Sequence, residues 1–250
     1  MHKPETAVIV TGAAGGIGSV ICNELVSAGY QVIGVDKVTR THEPGHAWLQ
    51  FDLRRLCGSD DGQRKFQAGI RELAGEYRIY SIINNAAVQK TGSLEVLSLE
   101  DIRETLDVNL LVPMIITRLF LDDLKKTRGR VINIGSVHAN VTKKGFSAYA
   151  MSKSGLAGMS RGMAVELGEF GICVNCVQPG AVNTPMLEAG FVTRPGTMEE
   201  LQEIQPLKRI GTPRDISGLV KYLLSEDSSY ITGACLTIDG GITACLHDPL

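Results

Sequence analysis

Short apolar runs rich in β-branched residues recur along the chain and predict its strands. The first, Thr6–Thr11, shows no alternation of polar and apolar positions, which is typical of a strand buried on both faces of a parallel sheet. Six further strands are predicted at 30–35, 47–51, 79–84, 131–136, 172–177 and 235–238. Helical patterns lie between them, at about 17–28, 62–77, 98–126, 149–168 and 212–224.

With 250 residues, the chain is long enough for one large α/β domain, which we expect to cover 1–250. The segment at about 185–210 is its least regular part, since glycine and proline interrupt short helical patches there. Loops of this kind beside a rigid scaffold often act as lids, so we predict a substrate lid here.

Composition disfavours two classes of partner. The formal net charge is −2 with 21% charged residues, so the chain has no basic field for nucleic acid. It has no apolar run of about 18 residues, and its first residues reach a strand too soon for a signal peptide. We therefore expect a soluble, cytoplasmic protein without nucleic-acid or membrane partners.

Six cysteines are scattered along the chain, mostly inside apolar segments, which predicts buried free thiols. Cys173 and Cys176 form a C-x-x-C, but positions i and i+3 of a strand face opposite sides. That geometry suits neither a metal site nor a redox pair, and we predict no metal.

A glycine-rich turn follows the first strand at once and leads into a helix. Between Gly12 and Gly18 the backbone can approach a pyrophosphate closely, and the helix directs its N-terminal N–H groups at that charge. The acidic Asp36 follows about twenty positions later, at the end of the second strand. Together these features predict a dinucleotide site.

Asp36 also indicates which dinucleotide binds. A carboxylate at this place accepts both ribose hydroxyls of an adenosine and repels a 2′-phosphate, which favours NAD over NADP. No Arg or Lys stands just before Gly16, which points the same way, whereas Lys37 and Arg40 follow the acid and keep NADP open. Asp52, which follows the third strand, either faces the adenine amine or caps a turn.

Tyr149 and Lys153 lie four residues apart on a predicted helix, and hence side by side. A free tyrosine, with a pKa of ~10, is a poor acid or base at neutral pH. We expect the Lys153 charge to favour the phenolate and lower the pKa of Tyr149. Ser136, thirteen residues upstream at the end of the fifth strand, could hold a substrate oxygen against the phenol. The trio predicts proton exchange with an alcohol or carbonyl, although a Tyr–Lys pair alone is common on helices.

Other polar residues allow two interpretations each. Asn109 lies within an apolar helical stretch, where its amide either satisfies local backbone groups or forms a polar link behind the active site. Asn84 and Asn85 follow the fourth strand and could line the cofactor or tie strands together. His138, in the loop after Ser136, contacts substrate or is a solvent-exposed bystander.

Taken together, these residues resemble the short-chain dehydrogenase/reductases of ~250 residues, over nearly the whole chain. The matching motifs are the cofactor turn, the exit of the fourth strand, the helix asparagine, the catalytic residues and the nicotinamide turn: Thr11-Gly12, Gly16-Ile17-Gly18, Asn84-Asn85-Ala86, Asn109, Ser136, Tyr149, Lys153, and Pro179-Gly180 with Thr184. One departure is Ala87, where the family usually has glycine; its methyl removes no chemical group.

The resemblance implies a doubly wound, three-layer αβα Rossmann-type fold with a seven-stranded parallel sheet, and a homotetramer or homodimer. It implies that Tyr149 is the acid/base, that Lys153 lowers its pKa and binds the nicotinamide ribose, and that Ser136 orients the substrate oxygen. Asn109 would hold a water that links Lys153 to solvent. The residues expected at the cofactor are Gly12, Ala14, Gly16, Ile17, Gly18, Asp36, Asp52, Leu53, Asn85, Ala86, Tyr149, Lys153, Pro179, Gly180, Val182 and Thr184.

We therefore predict an NAD-dependent dehydrogenase of a secondary alcohol, or of the matching ketone in reverse. The alternatives are an NADPH-dependent biosynthetic ketoreductase and an NAD(H)-binding sensor of the same fold without turnover. The candidate substrate residues are Ser136, Gln89, His138, Met186 and Phe191. This mixture suits a small molecule that is a sugar, a hydroxy acid, a cyclic diol or a steroid.

Overall fold

A computed structural model describes residues 5–39, 46–190 and 197–246, and the strands in these ranges form one sheet. The strands are β1 Thr6–Thr11, β2 Gln31–Asp36, β3 His46–Gln50, β4 Arg78–Asn84, β5 Arg130–Ile134, β6 Cys173–Pro179 and β7 Cys235–Ile238. Their order is β3-β2-β1-β4-β5-β6-β7, and every neighbouring pair is parallel. The predicted seven-stranded parallel sheet is confirmed.

Helices cover both faces of the sheet. They are α1 Gly16–Ser27, α2 Arg55–Gly58, α3 Asp60–Ala74, α4 Leu99–Leu106, α5 Val112–Leu119, α6 Leu121–Thr127, α7 Ser147–Leu167, α8 Pro185–Ala189, α9 Met198–Glu203 and α10 Pro213–Leu224. Successive side chains of a strand point to opposite faces, so β1 contributes to two cores. Val8 packs in the core with α1 and α10, whereas Ile9 packs in the core with α3, α5, α6 and α7. The three-layer αβα prediction is confirmed.

The sheet order reverses beside β1, which has β2 on one side and β4 on the other. In doubly wound sheets, ligands bind in the crevice at such a switch point, outside the carboxyl ends of the strands. Asn85 closes the base of this crevice: its Nδ2 donates to the carbonyl oxygens of Thr11 and Gly12, both at 3.0 Å. Its backbone N–H donates to the Thr11 hydroxyl at 3.1 Å. These bonds favour the interpretation that Asn85 ties strand ends together.

The predicted continuous helix at 98–126 is wrong, because three helices and a π-helical turn occupy this stretch. The π turn spans Asp107–Leu111 between α4 and α5, and the Val112 N–H donates to the Asp107 carbonyl, five residues back. Pro113 has no N–H to donate to the carbonyl of Asn109, four residues back, which disfavours a regular α-helix at this point. Asn109 therefore lies in a π turn rather than in an α-helix.

The predicted lid contains α8 and α9, while residues 191–196, including Phe191, lie outside the described ranges, as does Arg40. All six cysteines lie within them and are free thiols; Cys22, Cys173 and Cys176 are buried, whereas Cys245 is exposed. Among the described helices, none has the length and apolar character needed to cross a membrane.

Candidate functional site

A cavity of about 1060 Å³ opens at the carboxyl ends of the central strands. Every residue predicted at the cofactor lines it except Gly18, and four candidate substrate residues line it too: Ser136, Gln89, His138 and Met186. Asn109 does not line it. The topology thus brings nearly all of the predicted site residues around one space.

The glycine turn and the start of α1 can accept an anion. Gly15 caps α1 without a side-chain hydrogen bond, and no acidic residue lies in the first turn, so the N-terminal N–H groups face no protein carboxylate there. Gly12 has a φ of +64°, and an added Cβ would lie 2.7 Å from the Ala86 Cα. At Gly18 a Cβ would lie 2.1 Å from the Gly12 carbonyl oxygen. Gly18 therefore acts in packing the turn, which explains its absence from the cavity wall.

Asp36 is fixed at the edge of this turn. Its Oδ2 accepts from the Ala14 N–H at 3.0 Å and its Oδ1 from the Val38 N–H at 3.4 Å. Lys37 lines the cavity beside it. Asp52 also lines the cavity, while its Oδ1 accepts from the Arg54 N–H at 3.0 Å, as the turn-capping interpretation requires. These residues, with the turn, fit the adenosine and pyrophosphate of a dinucleotide.

Ser136, Tyr149 and Lys153 meet in the same cavity, with exposed fractions of 8%, 7% and 2%. The Ser136 side chain hydrogen-bonds Tyr149, and its Oγ accepts from the His138 N–H at 3.2 Å. Lys153 Nζ donates to the Ile134 carbonyl at 2.8 Å and lies 5.6 Å from the Tyr149 ring centroid. A substrate oxygen beside the phenol would also reach the serine.

The acid/base properties of this pair correct the sequence prediction. Burial raises the pKa of Tyr149 to about 12, and the hydrogen bond from Ser136 opposes this only in part. Burial also lowers the pKa of Lys153 to about 8. The expectation that the Lys153 charge brings the pKa of Tyr149 below its ordinary value is wrong for this structure, because desolvation of the phenolate is the largest cause and the opposing one is the hydrogen bond to Ser136.

The Asn109 amide connects two walls of the site from behind. Its Oδ1 accepts from the Val88 N–H at 2.9 Å, and its Nδ2 donates to the Val88 carbonyl at 2.9 Å and to Ser152 Oγ at 3.0 Å. The Ser152 hydroxyl in turn donates to the Tyr149 carbonyl at 2.7 Å. These contacts favour the polar-link interpretation, and the water relay stays a prediction. Sequence reasoning missed Ser152, although it directly precedes Lys153.

His138 is not the exposed bystander considered above. Its ring stacks on Phe146, with centroids 4.7 Å apart, and meets the Tyr149 ring edge-on at 5.7 Å. Its Nδ1 lies 2.9 Å from the Thr142 Oγ1. Burial, with a contribution from the Lys143 charge, lowers the pKa of His138 to about 4, so the ring is neutral at pH 7.

Phe146 and Lys143 line the cavity and were not predicted from the sequence. The available signal was their position: the loop that joins Ser136 to Tyr149 connects two candidate catalytic residues, so its side chains must border the site. Among the described residues, no cluster of three His, Cys, Asp or Glu side chains could hold a metal ion.

Comparison with known proteins finds similar sequences that cover most of the chain. The model of the family described as enoyl-(acyl carrier protein) reductase matches residues 12–243. The acetoacetyl-CoA reductase of Acinetobacter sp. (strain RA3849) is 34% identical over 246 residues, which cover 95% of this chain and 98% of that protein.

Two solved structures are similar over almost their full length. The ligand-free aldohexose dehydrogenase of Thermoplasma acidophilum superposes with a TM-score of 0.89 and 27% identity, over 98% of this chain and 96% of that one. A 4-hydroxyisoleucine dehydrogenase complexed with NADH gives a TM-score of 0.82 and 28% identity, over 96% and 100%. Both neighbours share the sheet and helix layers described above.

Proposed function

The chain belongs to the short-chain dehydrogenase/reductase family, and on that premise we propose that it is an NAD-dependent dehydrogenase of a secondary alcohol, or of the matching ketone in reverse. One observation carries the proposal: Ser136, Tyr149 and Lys153 border the same cavity as the glycine turn and Asp36. A dinucleotide on the turn would extend toward the phenol, where a substrate carbon and a proton carrier come together.

The residues of this chain then have separate tasks. A nicotinamide cofactor, when bound, supplies the hydride donor or acceptor, and its oxidised ring adds a positive charge to the cavity. The Tyr149 hydroxyl exchanges a proton with the substrate oxygen, and Ser136 holds that oxygen in place. Lys153, fixed by the Ile134 carbonyl, binds a ribose hydroxyl. Because its pKa is raised, Tyr149 in the free protein is neutral, which is the form that a general acid needs for ketone reduction.

Asp36 supports NAD as the cofactor. Its carboxylate is fixed by two backbone N–H groups at the rim of the cavity, where a diol can be accepted and a 2′-phosphate is repelled. The NADH complex of the 4-hydroxyisoleucine dehydrogenase agrees with this choice.

A second candidate is an NADPH-dependent ketoreductase, favoured by Lys37 at the cavity wall and by the similarity to an acetoacetyl-CoA reductase. The carboxylate of Asp36, held at the rim of the cavity by the Ala14 N–H, opposes the 2′-phosphate of NADPH. We therefore place the small-molecule dehydrogenase first.

Steady-state assays with NAD⁺ and NADP⁺ over polyols, sugars, hydroxy acids and hydroxysteroids test the function. We expect turnover with NAD⁺, loss of that turnover in Tyr149→Phe, and unchanged NADH binding by fluorescence. Tyr230→Phe is the matched control, because Tyr230 is fully exposed and should behave as wild type. An active Tyr149→Phe variant would refute the role of the phenol, and a strong NADP⁺ preference would refute the role of Asp36.

The lid at about 185–210 and the homotetramer are parts of the same proposal. Limited proteolysis with and without NADH should show protection of the lid on binding, and light scattering should give four chains per particle. Unchanged cleavage or a monomeric mass would contradict them.

A further inference from the structure

The turn that follows β2 carries two charged groups that act on the choice of cofactor. Asp36, the last residue of β2, has a carboxylate oxygen that accepts from the Val38 N–H at 3.4 Å. Lys37, the next residue, lines the cavity beside it. The shape of residues 37–39, the β2 turn, therefore affects where a negative and a positive charge lie relative to an adenosine ribose.

Two side chains of β3 hold this turn. Trp48 Nε1 donates to the Val38 carbonyl at 3.2 Å. The Gln50 amide bridges both ends of the turn, because its Nε2 donates to the Lys37 carbonyl at 3.2 Å and its Oε1 accepts from Thr39 Oγ1 at 2.9 Å. Each residue of the β2 turn thus has a hydrogen bond to a β3 side chain.

The register of the two strands explains why these side chains reach the turn. β2 and β3 are parallel, with Gly34 opposite Trp48 and Asp36 opposite Gln50. Residues two apart in a strand share a face, so all four lie on the same side of the sheet. The missing side chain of Gly34 makes room for the indole, since a Cβ there would lie 2.9 Å from Trp48 Cε3. The indole can therefore pack against β2 and direct its N–H to the turn.

Two other charged residues of this part of the cavity are held by separate contacts. Asp52 caps the loop after β3 through the Arg54 N–H. The Arg54 side chain forms ion pairs with Glu100 at 2.5 Å and with Asp107 at 3.4 Å. These contacts do not involve the β2 turn, so loosening the turn leaves them in place.

We infer that Trp48 and Gln50 are positioning residues for the cofactor: by holding the β2 turn, they preset the Asp36 carboxylate for a ribose diol and against a 2′-phosphate. The inference rests on the proposed function for its choice of NAD. With the turn held, the carboxylate meets the ribose without reorganising, which favours NADH over NADPH. Without these bonds the turn samples more conformations, the carboxylate has to be ordered at the moment of binding, and the discrimination falls.

Two substitutions remove these bonds and keep much of the side chain. Trp48→Phe leaves an aromatic ring beside Gly34 but no N–H, and Gln50→Met keeps an unbranched chain without the amide. Gln31→Met is the matched control, because Gln31 begins the same strand, β2, at the end away from the cavity. The dissociation constants of NADH and NADPH are measured from the emission of the nicotinamide, because Trp48 is the only tryptophan of the chain.

The readout is the ratio of the NADPH to the NADH dissociation constant. Losing a hydrogen bond of ordinary strength should lower this ratio by about 2- to 10-fold in Trp48→Phe and in Gln50→Met, further in the double variant, and not in Gln31→Met. A role in stability alone would weaken the binding of both cofactors equally. A ratio that is the same in wild type and in the two variants therefore overturns the inference.

A second titration separates this inference from the reaction itself. Calorimetry with ADP-ribose and with its 2′-phosphate measures the same ratio for ligands that lack the nicotinamide. A lower ratio in the variants supports the role of Trp48 and Gln50 even where no alcohol is oxidised, in which case only the proposed reaction fails. A wild-type preference for the 2′-phosphate overturns the choice of NAD and this inference together, whereas an equal ratio in wild type and variants overturns the inference alone.

Discussion

Replacing Lys153 by methionine should stabilise the free protein at pH 7 although it removes activity. Lys153 is 2% exposed, and burial lowers its pKa from 10.5 to about 8. The lower pKa means that the charged form of Lys153, relative to its neutral form, is less stable in the folded protein than in the unfolded chain. Since one pKa unit corresponds to about 1.36 kcal/mol, the penalty at pH 7 is about 3 kcal/mol. Methionine has similar length and carries no charge.

The loss of one hydrogen bond offsets part of this increase in stability. Lys153 Nζ donates to the Ile134 carbonyl at 2.8 Å, and methionine leaves that oxygen without its donor. A buried acceptor without a partner costs about 1–3 kcal/mol. The net increase in the free energy of unfolding is then about 1 kcal/mol, or roughly 2 to 4 °C in Tm for a chain of this size.

The pH dependence identifies the cause. Because the folded pKa of Lys153 lies below the unfolded value, the penalty is complete below about pH 8 and disappears as the pH rises to 10.5. The free energy of unfolding of wild type, measured in urea without cofactor, should therefore rise relative to that of Lys153→Met between pH 8 and pH 10.5. Exposed Lys126→Met is the control and should show no such trend. A variant less stable than wild type at pH 7, or a difference that is the same at pH 7 and pH 10, would refute the reasoning.

Three further substitutions address the cofactor turn and its support. Gly18→Ala should abolish NADH binding in a fluorescence titration, because the new Cβ would lie 2.1 Å from the Gly12 carbonyl oxygen; affinity near that of wild type would contradict this packing role. Asp36→Asn should lower kcat/KM for NAD⁺ by about tenfold or more and improve that for NADP⁺, since an amide does not repel a 2′-phosphate; unchanged ratios in steady-state kinetics would argue against the assignment. Asn109→Ala should lower the free energy of unfolding by about 2–4 kcal/mol through loss of its three hydrogen bonds, whereas exposed Asn23→Ala should change it by less than about 0.5 kcal/mol. Equal urea midpoints for Asn109→Ala and Asn23→Ala would contradict the role of Asn109 in linking Val88 to Ser152.

The central strands were predictable because a strand buried on both faces is apolar throughout, whereas the edge strands β3 and β7 are partly buried and were recognised by their short apolar runs. Thr6–Thr11 and Cys235–Ile238 coincide with their predicted bounds, and the other strands end within two residues of theirs. The hydrogen-bond partners of Asn85 could not be predicted in the same way, because local sequence does not say which carbonyl a side chain reaches across the sheet. Only the juxtaposition of β1 and β4 decides that its amide bonds Thr11 and Gly12.

The error at 98–126 has a physical reason. The apolar pattern there continues at helical spacing, and propensity alone tolerates one asparagine. Pro113 was the visible signal for an interruption, since its missing N–H disrupts the bond to residue 109. The pattern could not say that a π turn would absorb the interruption, because apolar spacing does not distinguish a kink, a break and a π turn.

The pair of Tyr149 and Lys153 shows why acid strength was harder to predict than position. Helical spacing correctly predicted that both residues lie on one helix, α7, because that spacing is a local property, and both line the same cavity. A pKa instead reflects how much water the whole fold removes from the group. Here α7 packs against β6 and buries both side chains, so desolvation raises the pKa of one and lowers that of the other. Acid strength therefore depends on how deeply the fold buries the phenol, which no spacing within the chain reports.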